Sequence, residues 1–141
     1  MPDYVLPTEF LFISDPGHGW LVCNIDDANA VGLSIYEFSS SSFVEDGVLF
    51  LEEDCDATLF VLAYEAAIGQ KPTFRLREVP HFSRNRARLP GWVDLDQGFD
   101  AWAKKCKAFD AKIAANRAAN DPHEGDCPAV DGFGCRCGEA A

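Results

Sequence analysis

The stretch "LEEDCDATLF", residues 51 to 60, places four carboxylates around Cys55 and ends on an apolar pair. The preceding "VLFL" (48–51) is typical of a buried strand, and "DATLFVLAYEAAIG" (56–69) has helical spacing and ends at a glycine. The stretch therefore predicts a strand-to-helix junction in which Asp54 or Asp56 caps the helix. Since four acids exceed what a cap requires, we expect Glu52 and Glu53 to contact a partner or a basic segment of the chain.

Upstream of this junction the sequence predicts two pairs of strands. "EFLFIS" (9–14) and "WLVC" (20–23) flank the turn "SDPGHG" and should form a hairpin. "SIYEF" (34–38) is expected to pair with the strand at 48–52, and Asp46–Gly47 is the strongest turn signal between them. The connection between the two strands of each pair is short, which predicts antiparallel pairing.

Downstream of the helix, "TFRLREV" (73–79) alternates apolar and basic residues. This period of two predicts a strand with Phe74 and Leu76 facing inward and Arg75 and Arg77 facing outward. Residues 1–80 are therefore expected to form an α+β core, a small and mostly antiparallel sheet with one packed helix.

A basic linker, residues 81–93, separates this core from a different kind of sequence. Residues 94–120 repeat apolar positions at alternating spacings of four and three, which predicts one long amphipathic helix. The seam comprises Leu95, Phe99, Trp102, Cys106, Phe109 and Ile113. About three heptads are marginal for an isolated coiled coil. We therefore expect the seam to dock on the sheet or on a second copy, as a homo-oligomer contact, with a tertiary contact at Gly98.

Charge is distributed very unevenly along the chain. The net charge is -11, but residues 1–70 contain thirteen acids and no Lys or Arg, whereas residues 71–88 contain six bases and one acid. Such a dipolar layout suits a phosphate-binding segment, an acidic partner surface or self-pairing. No apolar run is long enough to cross a bilayer, so we expect no membrane partner.

The basic excess is concentrated in what we term the arginine arm, residues 82–88. Arg84, Arg86 and Arg88 occupy alternate positions and would point the same way in an extended chain. We expect these three residues to bind a partner, most simply an acidic protein surface. Two alternatives are a nucleic acid, although the overall negative charge opposes it, and docking of the arm on the acidic half of this same chain.

"DPGHGW" (15–20) sets Asp15 and His18 at a tight turn, where functional side chains often lie. Both are predicted to contribute to partner binding. Combined with the acids of 52–56 they would also suit a metal-dependent hydrolase, but no complete ligand set or nucleophile is present locally. The structural alternative is that the glycines shape the turn and His18 packs across the hairpin.

The last segment, residues 121–141, is a Cys- and Gly-rich tail in which four soft ligands lie within fifteen residues. Thiolates and imidazole brought together by tight turns suit structural zinc. The predicted ligands are His123, Cys127, Cys135 and Cys137. Cys106 is a substitute for His123, and disulfides or idle thiols are the competing interpretations.

The motifs "DPGHGWL" (15–21), "LEEDCDATLFVLAYEAAIGQKP" (51–72) and "FSRNRAR" (82–88) together resemble a family of small uncharacterised proteins from phages, prophages and plasmids. Members typically show DPGHGWL, then YLEEDCDA. This chain has Phe50 in place of the tyrosine, and the resemblance covers only residues 9–88. It implies a mobile-element setting and assigns no catalytic residue.

We therefore expect a non-enzymatic phage or mobile-element protein in the host cytoplasm. It would bind a host or phage macromolecule, for example as an inhibitor of host defence or metabolism. A virion or assembly component is the first alternative, and a metal-dependent hydrolase is the second.

Overall fold

The computed structural model describes residues 4–92 and 94–119, which form an α+β fold as predicted. The strands are β1 (Glu9–Ser14), β2 (Gly19–Asn24), β3 (Phe43–Glu45), β4 (Val48–Glu52), β5 (Thr73–Glu78) and β6 (Ala87–Arg88). The helices are α1 (Ile25–Ala30), α2 (Asp56–Ile68) and α3 (Leu95–Ala119), with a 3-10 turn at Ile35–Glu37.

All six strands belong to one sheet in the order β5-β1-β2-β4-β3-β6. Every pair is antiparallel except β1 with β5, which is parallel. The predicted β1–β2 hairpin is present, and its register pairs Ser14 with Gly19. The strand order leaves β5 and β6 at the two edges of the sheet.

The turn at Asp46–Gly47 is present, but it joins β4 to Phe43–Glu45 and not to residues 34–38. Both turn residues have positive φ, 52° and 80°, as a tight hairpin turn requires. The prediction of a strand at 34–38 is wrong because this segment caps itself. Ser34 Oγ accepts the Tyr36 N–H at 3.3 Å, and Glu37 accepts the Ser34 N–H at 2.8 Å. These two bonds hold a 3-10 turn.

The junction at residues 51–60 lies between β4 and α2, as predicted, but neither Asp54 nor Asp56 is the helix cap. Cys55 occupies the N-cap position without a capping side-chain bond. The Asp56 side chain instead turns inward and is fully buried. It accepts hydrogen bonds from Ser39 N, Ser39 Oγ and Ser42 Oγ, which ties the helix to the loop before β3.

The main core lies between α2 and one face of the sheet. Phe10 of β1 meets Phe60 and Tyr64 of α2 edge to face, with ring centroids 5.2 and 5.7 Å apart. Tyr64 also donates to the Pro7 carbonyl at 2.8 Å, which fixes the chain entering β1. Alternate residues of β2 and β4 complete this core, namely Leu21, Cys23, Leu49 and Leu51.

Strand β5 forms where predicted, but its apolar residues are not inside. Phe74 is 41% exposed and Leu76 is 74% exposed. In register they lie beside Phe10 and Phe12, so they share the sheet face that α2 covers. Among the strands α2 packs most extensively against β4, and two strands, β2 and β1, separate β4 from β5 at the edge. The alternation of apolar and basic residues in 73–79 therefore predicted correctly that Phe74 and Leu76 share one face of the sheet. It did not predict that they are exposed there.

Helix α3 follows the predicted seam, but its main contact among the described elements is helix α2, whereas we expected it to dock on the sheet or on a second copy. Ile113 is buried, and Trp102, Cys106 and Phe109 are half-buried against the main core. Trp102 Nε1 donates to the Cys55 carbonyl at 2.8 Å. At the start of the helix, Leu95 and Phe99 are 72% and 53% exposed, so the seam is only partly covered. In the portion of the chain that the structure describes, no helix combines the length and apolarity needed to span a membrane.

Gly98 provides the tertiary contact expected in α3. A Cβ on this residue would lie 2.1 Å from Trp92 Cγ, far inside van der Waals contact. The Trp92 ring is itself held by a bond from its Nε1 to the Glu37 carbonyl, 3.2 Å long. Glycine is therefore required by the close approach of the indole.

We expect Gly98→Ala to lower the free energy of unfolding by up to about 2 kcal/mol. Displacing the indole costs about 1–3 kcal/mol, and the better helix propensity of alanine returns only about 1 kcal/mol. Urea unfolding followed by tryptophan fluorescence measures the difference. Helix propensity alone would make the variant more stable than the wild type. That result would contradict the close packing of Gly98 against Trp92.

Candidate functional site

The turn between β1 and β2 is fixed by the side chain of Asp15. Its Oδ1 accepts the N–H groups of Gly17 and His18 at 3.0 and 2.9 Å. At Gly19 a Cβ would lie 2.6 Å from the Phe12 ring, so only glycine fits there. These contacts place His18 at the end of the hairpin, on the same side as Asp15.

The second sheet face carries its own aromatic cluster, and the arginine arm covers it. Phe82 stacks on Trp20 with ring centroids 4.1 Å apart and contacts Phe43 and Phe50. The Phe82 N–H donates to Asp15 Oδ2 at 3.2 Å. The arm is therefore anchored at its first residue by both an aromatic stack and the hairpin turn.

The three arginines of the arm lie over three aromatic positions of the sheet. The guanidinium carbon of Arg84 is 4.9 Å from the Trp20 ring centroid, that of Arg86 is 4.6 Å from Phe50, and that of Arg88 is 4.9 Å from Phe43. A cation at this distance is attracted to the ring face. The alternation in sequence thus corresponds to a row of cations along one face.

Two of these arginines also pair with acids of the first half of the chain. Arg84 is 3.3 Å from Asp15 and 3.2 Å from His18 Nδ1, and Arg86 is 2.9 Å from Glu45. Arg88 donates to the Ser40 carbonyl at 2.7 Å, and no carboxylate within residues 4–92 and 94–119 pairs with it. The alternative in which the arm docks on its own acidic half therefore holds for Arg84 and Arg86.

Between the arm and the β4–α2 junction lies an open cleft of about 400 Å³. Four of the residues predicted to bind a partner line it, namely His18, Glu52, Arg84 and Arg88. Ser41, Phe43, Asp54 and Cys55 complete its walls, with Trp20 at its base. The tertiary structure thus brings together residues that are up to 70 positions apart in the sequence.

The cleft has a basic and an acidic side. Arg84 and Arg88 form the basic side, and Glu52 and Asp54 the acidic side. Partial burial raises the pKa of Glu52, and the neighbouring Asp54 charge adds to this, against the lowering effect of the N–H groups of Asp54 and Cys55. The site therefore suits a ligand that presents both an anionic group and a hydrogen-bond donor.

Three predicted binding residues lie outside the cleft. Asp15 sits behind Arg84, and Arg86 is engaged by Glu45 on the adjoining surface. Glu53 lies on the other side of the junction, where it lines the groove between α2 and β5. The four acids of residues 52–56 therefore lie in three places. Glu52 and Asp54 line the cleft, Glu53 lines the opposite groove, and Asp56 is buried in the core.

Two of the carboxylates proposed for a hydrolase, Asp15 and Asp56, accept hydrogen bonds that hold loops in place. Partial desolvation by itself would raise the pKa of Asp15. The hydrogen bonds from the N–H groups of Phe82, Gly17 and His18 and the charge of Arg84 outweigh this effect, so the net pKa of Asp15 is below its usual value. Burial, followed by the charges of Asp56, Glu52 and Asp54, raises the pKa of the Cys55 thiol. A raised pKa keeps the thiol protonated and weakly nucleophilic.

The predicted zinc ligands His123, Cys127, Cys135 and Cys137 lie outside the described residues. Within residues 4–92 and 94–119, no three His, Cys, Asp or Glu side chains are grouped in a way that could hold a metal ion.

Trp20, Phe43 and Ser41 belong to the site but were not predicted. A signal for the first of these is present in the sequence, because "GWLVC" and "VLFL" are apolar at successive positions and so on both faces of their strands. Such strands indicate a sheet covered on both sides. The indole N–H of Trp20 is buried and has no hydrogen-bond partner among the described residues.

Comparison of the chain with models of protein families, with curated proteins and with solved structures finds no match. Function is therefore inferred from the contacts, burial and charge of the cleft.

Proposed function

We propose that this chain is a non-enzymatic phage or mobile-element protein that binds a host or phage protein in the host cytoplasm. The cleft between the arginine arm and the β4–α2 junction receives an acidic group of that partner. The observation that carries this proposal is Arg88, an exposed guanidinium at the cleft that lacks a carboxylate among the described residues. A carboxylate of the partner would form a charge-assisted ion pair with this guanidinium.

The preference for binding over chemistry follows from how the reactive groups are used. Asp15 and Asp56 each accept several hydrogen bonds that hold loops in place. The Cys55 thiol has a raised pKa and carboxylate neighbours. These features support a recognition surface, and inhibition of host defence or metabolism by occlusion is a role that such a surface can perform.

The preference for a protein partner over a nucleic acid rests on charge. The chain has 23 acids against 12 bases, and two of the three arm arginines already pair with acids of the same chain. A phosphate backbone would be repelled by the acidic half at long range. A protein carboxylate needs only local complementarity.

We expect Arg84→Gln combined with Arg88→Gln to weaken partner capture at least tenfold. The magnitude follows from losing one or two charge-assisted hydrogen bonds of about 1.5–3 kcal/mol each. The measurement is quantitative pull-down from infected or carrier cells with the full-length chain. Capture by the wild type should fall between 0.1 and 0.5 M salt, because exposed ion pairs are screened.

The matched control is Lys107→Gln combined with Lys112→Gln, which changes the charge equally on the exposed face of α3. It should capture the partner as the wild type does. If both double variants lose the partner alike, net charge and not the cleft governs binding. If neither does, the cleft is not the binding site.

A further inference from the structure

We infer that the free edge of β5 is a second binding surface, which takes up an extended peptide with alternating apolar and acidic residues by adding it as a strand. This surface lies at the end of the sheet opposite β6, so it is separate from the cleft. All six residues of β5 are exposed, and its sole neighbour among the described strands is β1. An unpaired edge of this kind is a template for another strand.

The backbone groups available at this edge follow from the register. Thr73 N donates to the Thr8 carbonyl at 2.9 Å and Val79 N to the Ser14 carbonyl at 2.8 Å. Because backbone groups alternate in direction along a parallel strand, odd-numbered residues of β5 face β1. The N–H and C=O groups of Phe74, Leu76 and Glu78 therefore face outward and are open to an added strand.

The side chains on the α2 side of β5 give this edge an apolar groove. Phe74 and Leu76 border a groove of about 550 Å³ whose floor includes Phe12 and whose far wall includes Val61 and Leu62 of α2. Phe74 meets Phe12 edge to face at 6.4 Å. Alternate apolar side chains of an added strand would enter this groove and bury the exposed surface of Phe74 and Leu76.

The opposite side of β5 sets the charge of the occupant. Arg75 and Arg77 lie there in register with Leu11 and Ile13. Arg75 is 3.2 Å from Glu9, whereas Arg77 has no carboxylate partner in the described part of the chain. Acidic residues at the remaining alternate positions of an added strand would lie directly opposite these arginines.

The same charges disfavour a second copy of β5 as the occupant. An antiparallel β5 pair that keeps its apolar faces together sets Arg75 opposite Arg77, or one of the two arginines opposite its own copy. Like charges directly opposite one another destabilise a sheet. The surface therefore favours a different, acidic strand.

The test uses the full-length chain and an eight-residue peptide that alternates valine and glutamate. Methylation of the backbone nitrogens along one edge keeps the peptide from stacking on itself. Hydrogen exchange should show the amides of Leu76 and Glu78 unprotected in the free protein and protected at least tenfold by the peptide. The amides of Arg75 and Arg77, which face β1, should stay protected in both states and serve as internal controls.

Two variants separate the apolar and charged contributions. Leu76→Asp should weaken binding of the peptide at least tenfold. Arg77→Glu should do the same and favour a peptide that alternates valine and lysine. Lys112→Glu, with the same charge change on exposed α3, should leave the affinity unchanged.

Three results would overturn the inference. The first is equal binding of the glutamate and lysine peptides by the wild type. The second is protection of the Leu76 amide without peptide, which would mean that another segment of the chain covers the edge. The third is concentration-dependent protection without peptide, lost in Leu76→Asp, which would identify a second copy as the occupant.

Discussion

Replacing Asp56 with alanine is expected to lower the free energy of unfolding by about 3–5 kcal/mol, because up to three buried hydrogen-bond donors lose their acceptor at about 1–3 kcal/mol each. The Asp56 side chain is fully buried and accepts from Ser39 N at 3.0 Å, Ser39 Oγ at 2.8 Å and Ser42 Oγ. Its removal leaves donors without partners in the core. Urea unfolding at pH 7 measures the loss.

The pH dependence of this difference gives an independent check. Burial raises the pKa of Asp56, against the lowering effect of the hydrogen bonds from Ser42 and Ser39. The folded state therefore binds this proton more tightly than the unfolded chain, in which the pKa is about 3.9. The contribution of Asp56 to the free energy of unfolding is therefore complete when the pH is below the unfolded-state pKa. It declines as the pH rises through the folded-state pKa. The gap between wild type and Asp56→Ala should thus be larger at pH 4 than at pH 7.

Asp54→Ala is the matched control, since Asp54 is exposed and lies two residues away in the same acidic stretch. It should change stability by about 0.5 kcal/mol or less. Equal losses in the two variants would mean that the acidic stretch acts through its total charge and not through the buried bonds of Asp56.

Replacing Phe82 with alanine should cost about 3–4 kcal/mol and release the arginine arm. The ring is 4% exposed and packs on Trp20, Phe43 and Phe50, the same rings that the arm arginines cover. Truncating a buried phenylalanine typically costs about 3–5 kcal/mol. Because the arm supplies the basic side of the cleft, its release should abolish partner capture as well.

Limited trypsin digestion reports release of the arm directly. Cleavage after Arg84, Arg86 and Arg88 should be much faster in Phe82→Ala than in the wild type. Phe74→Ala is the control, because that ring is 41% exposed and its loss should cost about 1 kcal/mol or less. If the two variants unfold and digest alike, Phe82 does not anchor the arm.

Several local features of the fold could be predicted because they depend on neighbours in the sequence. At Asp46–Gly47 both turn residues have positive φ, which few residue types tolerate. At residues 15–19 the turn is set by the bonds from Gly17 and His18 to Asp15 and by the close approach of the Phe12 ring to Gly19. The segment 34–38 differs from the prediction for a reason that is also local. Its apolar residues favoured a strand, but the local bonds between Ser34 and Glu37 favoured a 3-10 turn.

The candidate site was predictable only in part. The sequence singled out His18, Glu52, Arg84 and Arg88, because charged and aromatic residues at turns and at alternate positions are unusual in a purely structural segment. It did not assign their partners. Arg84 meets Asp15 across 69 positions, and Arg86 meets Glu45 across 41, so these pairs exist only once the sheet is formed.

By itself, the sequence determined the α+β class, the strand-to-helix junction at residues 51–60, and a long amphipathic helix near the end. These follow from the periods of apolar residues, which are properties of each segment alone. The tertiary structure decided which predicted faces are covered. Helix α2 leaves Phe74 and Leu76 exposed, the arm covers Trp20 and Phe50, and Asp56 turns into the core. Burial depends on what packs opposite a residue, and that is set by the arrangement of the whole chain.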